Sequence, residues 1–271
     1  MNIVLTIAGS DSGGGAGIQA DLKTFQEMNV FGTTVITALT AQNTLGVNGI
    51  YPATPEFVEL QLNAIFDDFD VRALKTGMLF SAEIIQTVAR NLKDRNLRIV
   101  VDPVMIAKGG QALLKDDAVQ ALIRVLLPIA TVLTPNIPEA ETITGMKIQT
   151  GEEIRKAAQK ILEFGVECVV MKGGHLEDPM AVDTVFFQDG SSFQMKSPKI
   201  DTRHTHGTGC TFSAAITAYL GRGLSIKESI IEAKKFVQAA IENPLNIGHG
   251  HGPTNHFAHR LGAKAEVEII E

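Results

Sequence analysis

Residues 206–215 read HGTGCTFSAA, so that two glycines, Gly207 and Gly209, stand directly before a run of small and apolar residues with helical character. Glycine allows backbone amides to approach a ligand closely, and the first amides of a helix have no partners within the helix. Together with the helix dipole, such amides form an anion site that stabilises the charge developing during phosphoryl transfer. A Gly-x-Gly pattern is also typical of ordinary glycine-capped loops, so the surrounding sequence is needed to distinguish an anion site from such a loop.

Outward from this stretch, short β-branched runs alternate with segments of helical periodicity. Strands are predicted at residues 3–8, 33–39, 73–75, 98–101, 131–133 and 167–171. Helices are predicted near residues 17–28, 56–67, 82–94, 116–126, 151–164, 207–221 and 226–243. Asp189-Gly190 separates two further short runs and is typical of a hairpin turn. We predict a single α/β domain over residues 1–271, with a mostly parallel sheet, helices on both faces and an antiparallel hairpin at one edge.

Several predicted helices begin with recognisable capping signals. Thr150 with Glu153, and Ser225 with Glu228, have the spacing of a capping box, in which a hydroxyl and a carboxylate satisfy free amides reciprocally. Pro55 is placed for the first position of another helix. These signals support the order of elements given above.

Composition excludes several classes of protein. The net charge is −6 and there is no basic run, which disfavours nucleic-acid binding. No stretch reaches the roughly 18 apolar residues of a membrane span, and the first residues lack the basic region of a signal peptide. The two cysteines, Cys168 and Cys210, are far apart in sequence, which favours a reducing compartment. We therefore expect a cytoplasmic protein.

The tail at residues 243–260 is rich in glycine, histidine and asparagine and is predicted to be a loop lying over the surface. Its histidines have no cysteine or acidic partner at a familiar zinc spacing. A zinc site is therefore disfavoured.

Glycine, polar and charged residues follow each of five predicted strands, at residues 9–17, 76–78, 102–103, 134–139 and 172–175. Ligands of open parallel sheets bind beyond the carboxyl ends of the strands, so these segments predict one assembled site. No glycine loop continues into Gly-Lys-Ser/Thr, which excludes a P-loop. The first glycine cluster has Ile18 where a dinucleotide fingerprint needs its third glycine, which disfavours an NAD-linked oxidoreductase.

Residues 201–210, with the pattern Asp-Thr-x-x-Thr-x-Gly-Thr-Gly-Cys, resemble the anion-hole signature of the ribokinase-like superfamily. Cys210 stands where most members have an aspartate, which is similar to the branch of hydroxymethylpyrimidine kinases and bacterial pyridoxal kinases. Segments 6–11, 17–25, 172–175 and 248–253 also resemble that branch, and residues 41–44 are more similar to the pyrimidine kinases.

The resemblance implies a ribokinase-like fold and an enzyme that uses ATP and Mg²⁺ to phosphorylate 4-amino-5-hydroxymethyl-2-methylpyrimidine to its monophosphate and then to its diphosphate, in thiamine biosynthesis. A homodimer is implied in the same way. A pyridoxal kinase of the same branch is the nearest alternative. A vitamin- or nucleotide-binding protein without catalytic activity is the alternative from another class.

The resemblance also implies roles for particular residues. Substrate contacts are expected at Gly9, Ala16, Asp21, Gln42, Met78 and Val104. Asp21 can accept a hydrogen bond from the amine of an aminopyrimidine, and Gln42 can both donate and accept. Met78 could equally be a core residue.

Phosphates and catalysis are expected to involve a second set of residues. Contacts with ATP are expected from Lys172, Asn136, Glu139 and Thr208, and Asp102 and Glu139 are expected to hold Mg²⁺ through water. Gly207, Thr208 and Gly209 are expected to hold the transferring phosphoryl group. Cys210 is the expected general base, with a thiol pKa lowered by the helix N-terminus, whereas Cys168 lies within a strand and has no role. Glu139 as a helix-capping residue, and Asp102 as a turn residue before Pro103, are the alternatives.

Overall fold

The computed structural model describes residues 1–105, 114–173 and 180–271. The strands in these ranges are β1 (Ile3–Asp11), β2 (Phe31–Asn43), β3 (Gly46–Pro52), β4 (Val71–Thr76), β5 (Arg98–Val101), β6 (Val132–Leu133), β7 (Cys168–Lys172), β8 (Met180–Phe187), β9 (Ser192–Pro198) and β10 (Glu268–Ile270). The α-helices are α1 (Gly17–Glu27), α2 (Pro55–Phe66), α3 (Ala82–Leu92), α4 (Asp116–Ala121), α5 (Ile137–Thr144), α6 (Gly151–Leu162), α7 (Thr208–Gly221) and α8 (Ile226–Glu242). The strands form one sheet in the order β10-β9-β8-β7-β6-β5-β4-β1-β2-β3.

The centre of this sheet consists of the parallel strands β1, β2, β4, β5, β6 and β7. Alternate residues of these strands enter two separate cores, because successive side chains of a strand point to opposite faces. Leu5, Ile7 and Leu133 pack with helices α2 to α6 on one face. Val4 and Val132 pack with α1, α7 and α8 on the other face. The predicted parallel sheet with helices on both faces is confirmed.

The edges of the sheet are antiparallel. The predicted hairpin is confirmed as β8 and β9, which follow β7 at one edge, and β10 pairs with β9 beyond them. The other edge is β3, which the sequence did not predict. Its sequence GVNGIYP contains two glycines and lacks a regular apolar alternation, so that its pairing with β2 defines it as a strand.

Capping explains where several helices begin. The predicted capping boxes at Thr150 and Ser225 are confirmed, and each starts a helix with its carboxylate three residues later. A third box, formed by Asn136 and Glu139, starts α5, which the sequence analysis did not predict as a helix. After α4 the chain continues through a π-helical turn, Leu122–Leu126, and a 3₁₀ turn, Leu127–Ile129, so that the helix predicted near 116–126 is not regular throughout.

The topology places the carboxyl ends of the parallel strands, and the start of α7, at the same edge of the sheet. The tail at residues 243–260 is a loop, as predicted, and it packs against this edge: Pro253 pairs with His206, and the N–H of His251 donates to the carbonyl of Thr44 at 2.8 Å. In the three described ranges, none of the helices has the length and apolar character needed to cross a membrane.

Candidate active site

A cavity of about 800 Å³ lies at the carboxyl ends of the parallel strands, which is a size typical of small-molecule sites. With the exception of Asp21, every residue predicted to contact substrate, phosphate or metal lines this cavity. They are Gly9, Ala16, Gln42, Met78, Asp102, Val104, Asn136, Glu139, Lys172, Gly207, Thr208, Gly209 and Cys210. The segments that follow separate strands are therefore brought together in one site, as the sequence predicted.

The glycine stretch forms the turn into α7. Gly207 is the N-cap residue and has a φ of 80°, a left-handed conformation that favours glycine. A Cβ at this position would lie 1.8 Å from the carbonyl oxygen of Gly15, so a side chain is excluded by space as well as by conformation. Because Gly207 has no side chain to cap the helix, no N-cap side chain covers the first turn of α7, in which the N–H of Thr208 donates to the carbonyl of Thr205 at 3.3 Å.

Cys210 lies in the first turn of α7, and its sulfur accepts a hydrogen bond from the backbone N–H of Gly17, the first residue of α1. Burial is the largest influence on this thiol and raises its pKa to about 12; Lys75 opposes the rise, whereas Asp21 and Asp102 add to it. The expectation of a lowered thiol pKa is therefore wrong, because desolvation outweighs the helix N-terminus.

Beneath Cys210 lies a buried ion pair that involves Asp21. Lys75 Nζ lies 2.8 Å from Asp21 Oδ1, and neither side chain has any exposed surface. Thr6 Oγ1 donates to Asp21 Oδ2 at 2.6 Å. Burial alone would lower the pKa of Lys75, but Asp21, Cys210 and Asp102 raise it above its ordinary value. Both carboxylate oxygens of Asp21 have partners within the chain, so the structure does not bring Asp21 to the cavity wall for the predicted contact with an aminopyrimidine.

A cluster of charged side chains lies beside the first turn of α7. Lys172 Nζ is 3.7 Å from Asp102 Oδ1, and both groups lie close to the backbone of Gly209. Burial raises the pKa of Glu139 to about 7, with Lys172 opposing the rise and Asp102 adding to it. Burial alone would lower the pKa of Lys172, but Asp102 and Glu139 raise it above its ordinary value. The site thus holds one ammonium group against two carboxyl groups.

Asn136 and Glu139 form the capping box at the start of α5. The backbone N–H of Glu139 donates to Asn136 Oδ1, and the backbone N–H of Asn136 donates to Glu139 Oε2, each at 2.8 Å. The carboxyl group of Glu139 also accepts a hydrogen bond from the backbone of Met105. Among the described residues there is no group of three or more His, Cys, Asp or Glu side chains that could hold a metal ion. The roles of Asn136 and Glu139 toward phosphate and Mg²⁺ stay predictions.

The ends of β1, β2 and β4 form one part of the cavity wall. Gly9 faces Met78 so closely that a Cβ would lie 2.5 Å from Met78 Cε. The N–H of Gln42 donates to Ser12 Oγ at 2.8 Å, and Ser12 Oγ donates to the Gln42 carbonyl at 2.7 Å. The backbone of Gln42 is thereby fixed, and Gln42 lines the cavity.

Asp11 and His206 belong to this wall, and the sequence analysis assigned them no role. Asp11 accepts backbone hydrogen bonds from Gly13, Gly15 and Ala16 at 2.8–3.0 Å, so its carboxylate organises the glycine turn between β1 and α1. His206 Nε2 lies 2.9 Å from Asp11 Oδ2. The position of Asp11 two residues before Gly13 is typical of a side chain that closes a turn on its own backbone, and this signal could have identified it.

A second buried ion pair lies at the opposite part of the cavity. Lys234 of α8 contacts Asp183 of β8, with Nζ 2.8 Å from Oδ2, and both residues line the cavity. Beside them the wall is apolar and includes Pro198, Val237 and Ile241. No motif in the sequence connects this hairpin and this helix to the site, so the pair could not be predicted.

Gly173 follows β7 and packs against β8. Its N–H donates to Asp183 Oδ1 at 3.1 Å, and a Cβ would lie 2.0 Å from the carbonyl oxygen of Val182, so a side chain does not fit. Gly174 and His175, the other members of the predicted motif at 172–175, lie outside the described residues.

The α/β sheet, with a glycine turn into α7 beside a lysine and acidic side chains, agrees with the ribokinase-like kinase that the sequence resembles. Comparisons with known proteins agree with this class. The chain has a TM-score of 0.92 to the structure of the pyridoxal kinase from Staphylococcus aureus in complex with AMP-PCP and pyridoxal, at 37% identity, covering 100% of this chain and 99% of that one. The phosphomethylpyrimidine kinase from Clostridium difficile has a TM-score of 0.77 at 45% identity, covering 86% of this chain and 96% of that one.

Sequence comparison identifies the family. The family model for phosphomethylpyrimidine kinase matches residues 11–255. The hydroxymethylpyrimidine/phosphomethylpyrimidine kinase of Bacillus subtilis is 54% identical over 257 residues, which cover 94% of each chain. The chain belongs to the phosphomethylpyrimidine kinase family.

Proposed function

We propose that this protein transfers the γ-phosphoryl group of ATP to hydroxymethylpyrimidine, and then a second phosphoryl group to the resulting monophosphate, as in thiamine biosynthesis. The observation that carries the proposal is the single cavity in which Gln42 lies with Lys172 and the turn at Gly207–Cys210. Family membership supports it, because the relatives matched over nearly their whole length are hydroxymethylpyrimidine/phosphomethylpyrimidine kinases.

The order of strands suggests how the two substrates share the cavity. Gln42 and Gly9 belong to the side formed by β1 and β2, which we assign to the pyrimidine. The apolar wall at Val237 and Ile241, beside Lys234, suits the base and ribose of the nucleotide. The first turn of α7 lies between these sides, where its amides and Lys172 would hold phosphate oxygens.

Asp102 and Glu139 fit a magnesium ion held through water rather than by direct chelation, since their carboxyl groups have protein partners and lie beside Lys172. Mg²⁺ would neutralise charge on the phosphates during transfer. Cys210 would align the hydroxyl to be phosphorylated. A thiol whose pKa is about 12 keeps its own proton at pH 7 and cannot accept a second one, so the proton of the hydroxyl leaves with an oxygen of the transferred phosphoryl group.

The test is ATP consumption with Mg²⁺, measured in parallel on hydroxymethylpyrimidine, its monophosphate and pyridoxal, with products identified by mass. Turnover of both pyrimidines, with slow turnover of pyridoxal, is the expected result. A preference for pyridoxal would overturn the assignment of substrate and keep the phosphoryl chemistry. Binding without turnover of any of the three would favour the alternative of a non-catalytic binding protein.

Pyridoxal phosphorylation is the second candidate function. It is favoured by the similarity to the S. aureus pyridoxal kinase, whose TM-score of 0.92 exceeds the 0.77 of the C. difficile phosphomethylpyrimidine kinase. The sequence relatives favour the pyrimidine, and the parallel assay separates the two.

We also propose that the protein is a cytoplasmic homodimer. Leu39 and Tyr51 are cross-strand neighbours in β2 and β3, and they are 51% and 74% exposed at an edge of the sheet. Phe57 and Leu60 on α2, which packs beside β2, are also more than half exposed. Exposed apolar side chains beside an edge strand are typical of an interface between copies of a chain. Light scattering should show a dimer for the wild type and a monomer for Tyr51→Glu; a monomeric wild type contradicts the proposal.

A further inference from the structure

The carboxamide of Gln42 is held from two sides within the cavity. One of its terminal atoms, assigned as Nε2, lies 3.3 Å from His206 Nε2. The other, assigned as Oε1, lies 3.2 Å from Thr40 Oγ1. Nitrogen and oxygen of a carboxamide are nearly indistinguishable by shape, so their assignment has to agree with the surrounding hydrogen bonds. The donors available on His206 and Thr40 decide that assignment.

His206 Nε2 carries a hydrogen atom. It lies 2.9 Å from Asp11 Oδ2, and a carboxylate only accepts hydrogen bonds. Asp11 is ionised: burial raises its pKa, but His206 and the backbone N–H groups of Ala16 and Gly13 outweigh burial and lower the pKa below its ordinary value. A ring nitrogen that donates to Asp11 cannot accept a hydrogen bond from an amide nitrogen of Gln42. The Gln42 atom that lies beside His206 must therefore be the carboxamide oxygen.

Thr40 leads to the same conclusion independently. Its hydroxyl has one hydrogen atom, and Thr40 Oγ1 lies 2.9 Å from the carbonyl oxygen of Ser10, which only accepts. The hydroxyl therefore has no hydrogen left to donate to Gln42 Oε1. It has a free lone pair, which can accept from an N–H of the carboxamide instead.

Exchanging the two terminal atoms of Gln42 resolves both conflicts. We propose that His206, held by Asp11, is a specificity-determining residue that fixes the Gln42 carboxamide with its oxygen toward His206 and its nitrogen toward Thr40. Hydrogen bonds then run from Gln42 Nε2 to Thr40 Oγ1 and on to Ser10, and the N–H of His206 is shared between Asp11 and Gln42 Oε1. In this series of hydrogen bonds, from Asp11 to Ser10, each donor then faces an acceptor.

His206 is itself rigidly placed, which suits a residue that orients another. Its backbone N–H donates to the carbonyl of Gly252 at 3.0 Å, and its backbone carbonyl accepts from the N–H of Thr254 at 3.1 Å. A Cβ on Gly15 would lie 2.5 Å from His206 Cδ2, so the glycine turn packs directly on the imidazole. The ring is fixed between the tail loop and the turn organised by Asp11.

The substrate consequence rests on the proposed function. After these bonds form, Gln42 retains one N–H and one oxygen lone pair for a ligand, side by side and in a fixed order. An aminopyrimidine has an amine next to a ring nitrogen, which is the complementary pair of donor and acceptor. Pyridoxal has a methyl group and a C–H next to its ring nitrogen, so it cannot use both groups of Gln42. The orientation set by His206 thus selects the aminopyrimidine class.

The kinetic test compares His206→Leu, which has no donor, with His206→Gln, whose amide N–H groups can donate to both Asp11 and Gln42. His206→Leu should lower kcat/KM for hydroxymethylpyrimidine about tenfold, mainly through KM, and change that for pyridoxal little. His206→Gln should restore most of the loss. His249→Leu, an exposed change in the same tail, is the matched control. Equal losses for both substrates, or no rescue by glutamine, would overturn the proposal.

A second measurement does not depend on activity or on the folding of a variant. In ¹⁵N-labelled wild-type protein, His206 Nε2 should carry a proton, and the side-chain NH₂ of Gln42 should show proton contacts with Thr40 and not with the His206 ring. The reverse contacts, or an unprotonated Nε2, would refute the assigned orientation whichever substrate the enzyme uses. Failure of the wild type to phosphorylate any pyrimidine would instead remove the proposed function and leave the orientation standing.

Discussion

Removing the charge of Lys75 should destabilise the fold strongly. In Lys75→Met a side chain of similar length replaces the ammonium group, and the carboxylate of Asp21 keeps only its hydrogen bond from Thr6. Neither member of the pair has exposed surface, so water cannot replace the lost partner. Breaking a buried pair on one side typically costs about 3–5 kcal/mol. For a chain of 271 residues, that corresponds to a fall in Tm of about 5–9 °C.

The assay is urea unfolding at two pH values, with Lys156→Met as a control. Lys156 forms a surface pair with Glu152 in which both side chains are more than half exposed, and its loss should cost less than about 0.5 kcal/mol. Without Lys75, the unpaired Asp21 favours its protonated form, so the pKa of Asp21 in the folded state rises. Stability is then retained at low pH and lost as the pH rises, and Lys75→Met should be closer to wild type at pH 5 than at pH 8.

The double variant Lys75→Met/Asp21→Asn completes the test, because an asparagine can still accept from Thr6 and brings no charge. It should recover most of the stability lost in the single variant. A Lys75→Met protein within about 1 kcal/mol of wild type at pH 8, or a double variant whose loss equals the sum of the two single losses, would refute the reasoning from the buried pair.

Three further changes test other parts of the site. Gly207→Ala should cost several kcal/mol in urea unfolding, because its Cβ would meet the Gly15 carbonyl, whereas Gly223→Ala, with a φ of 92° and open space around it, should lose only about 1 kcal/mol from strain. Because the pKa of Glu139 is raised to about 7 in the folded protein, its contribution to stability is present below about pH 4.5 and is lost as the pH rises through 7. Relative to Glu139→Gln, the wild type should lose about 2–3 kcal/mol of its free energy of unfolding between pH 4.5 and 8. A difference in free energy of unfolding that stays constant over this range would contradict the prediction. Cys210→Ala should slow phosphorylation of the alcohol more than that of the monophosphate in single-turnover assays, because an acceptor phosphate is already anionic; equal losses would contradict it.

The sequence predicted those parts of the fold that depend on local pattern. β-branched runs marked the central strands, and the capping boxes at Thr150 and Ser225 marked two helix starts. The same signal is present at Asn136 and Glu139, but the resemblance to a phosphate and magnesium motif led the interpretation. Helix capping by Glu139 was the alternative, and the structure confirms it, although α5 was not predicted as a helix. β3 could not be predicted in this way, because its residues are largely exposed and only its partner β2 makes it a strand.

The site residues divide in the same manner. Residues that follow strands could be assigned to the cavity from topology alone, since parallel strands end at one edge. The burial of Asp21 could be predicted only if its partner, Lys75, were known. Lys75 is a charged residue within a buried parallel strand and therefore signals a hidden counter-ion, but the sequence does not say which acid provides it. Asp183 and Lys234, separated by 51 positions, posed the same problem.

Cys210 shows how a local argument fails when a larger effect opposes it. A charge near a helix N-terminus gains about 0.3–1 kcal/mol, whereas a rise in pKa from 9.0 to about 12 corresponds to about 4 kcal/mol. Desolvation therefore keeps the thiol protonated at neutral pH, despite the N-terminus of α7 and the N–H of Gly17. Phosphoryl transfer through a loose transition state does not require an ionised nucleophile at its start, because catalysis rests on positioning and on stabilising charge at the phosphate. A protonated thiol is compatible with that chemistry in a different role: Cys210 can align the hydroxyl, and the proton of the hydroxyl passes to an oxygen of the transferred phosphoryl group once the new bond to phosphorus has formed.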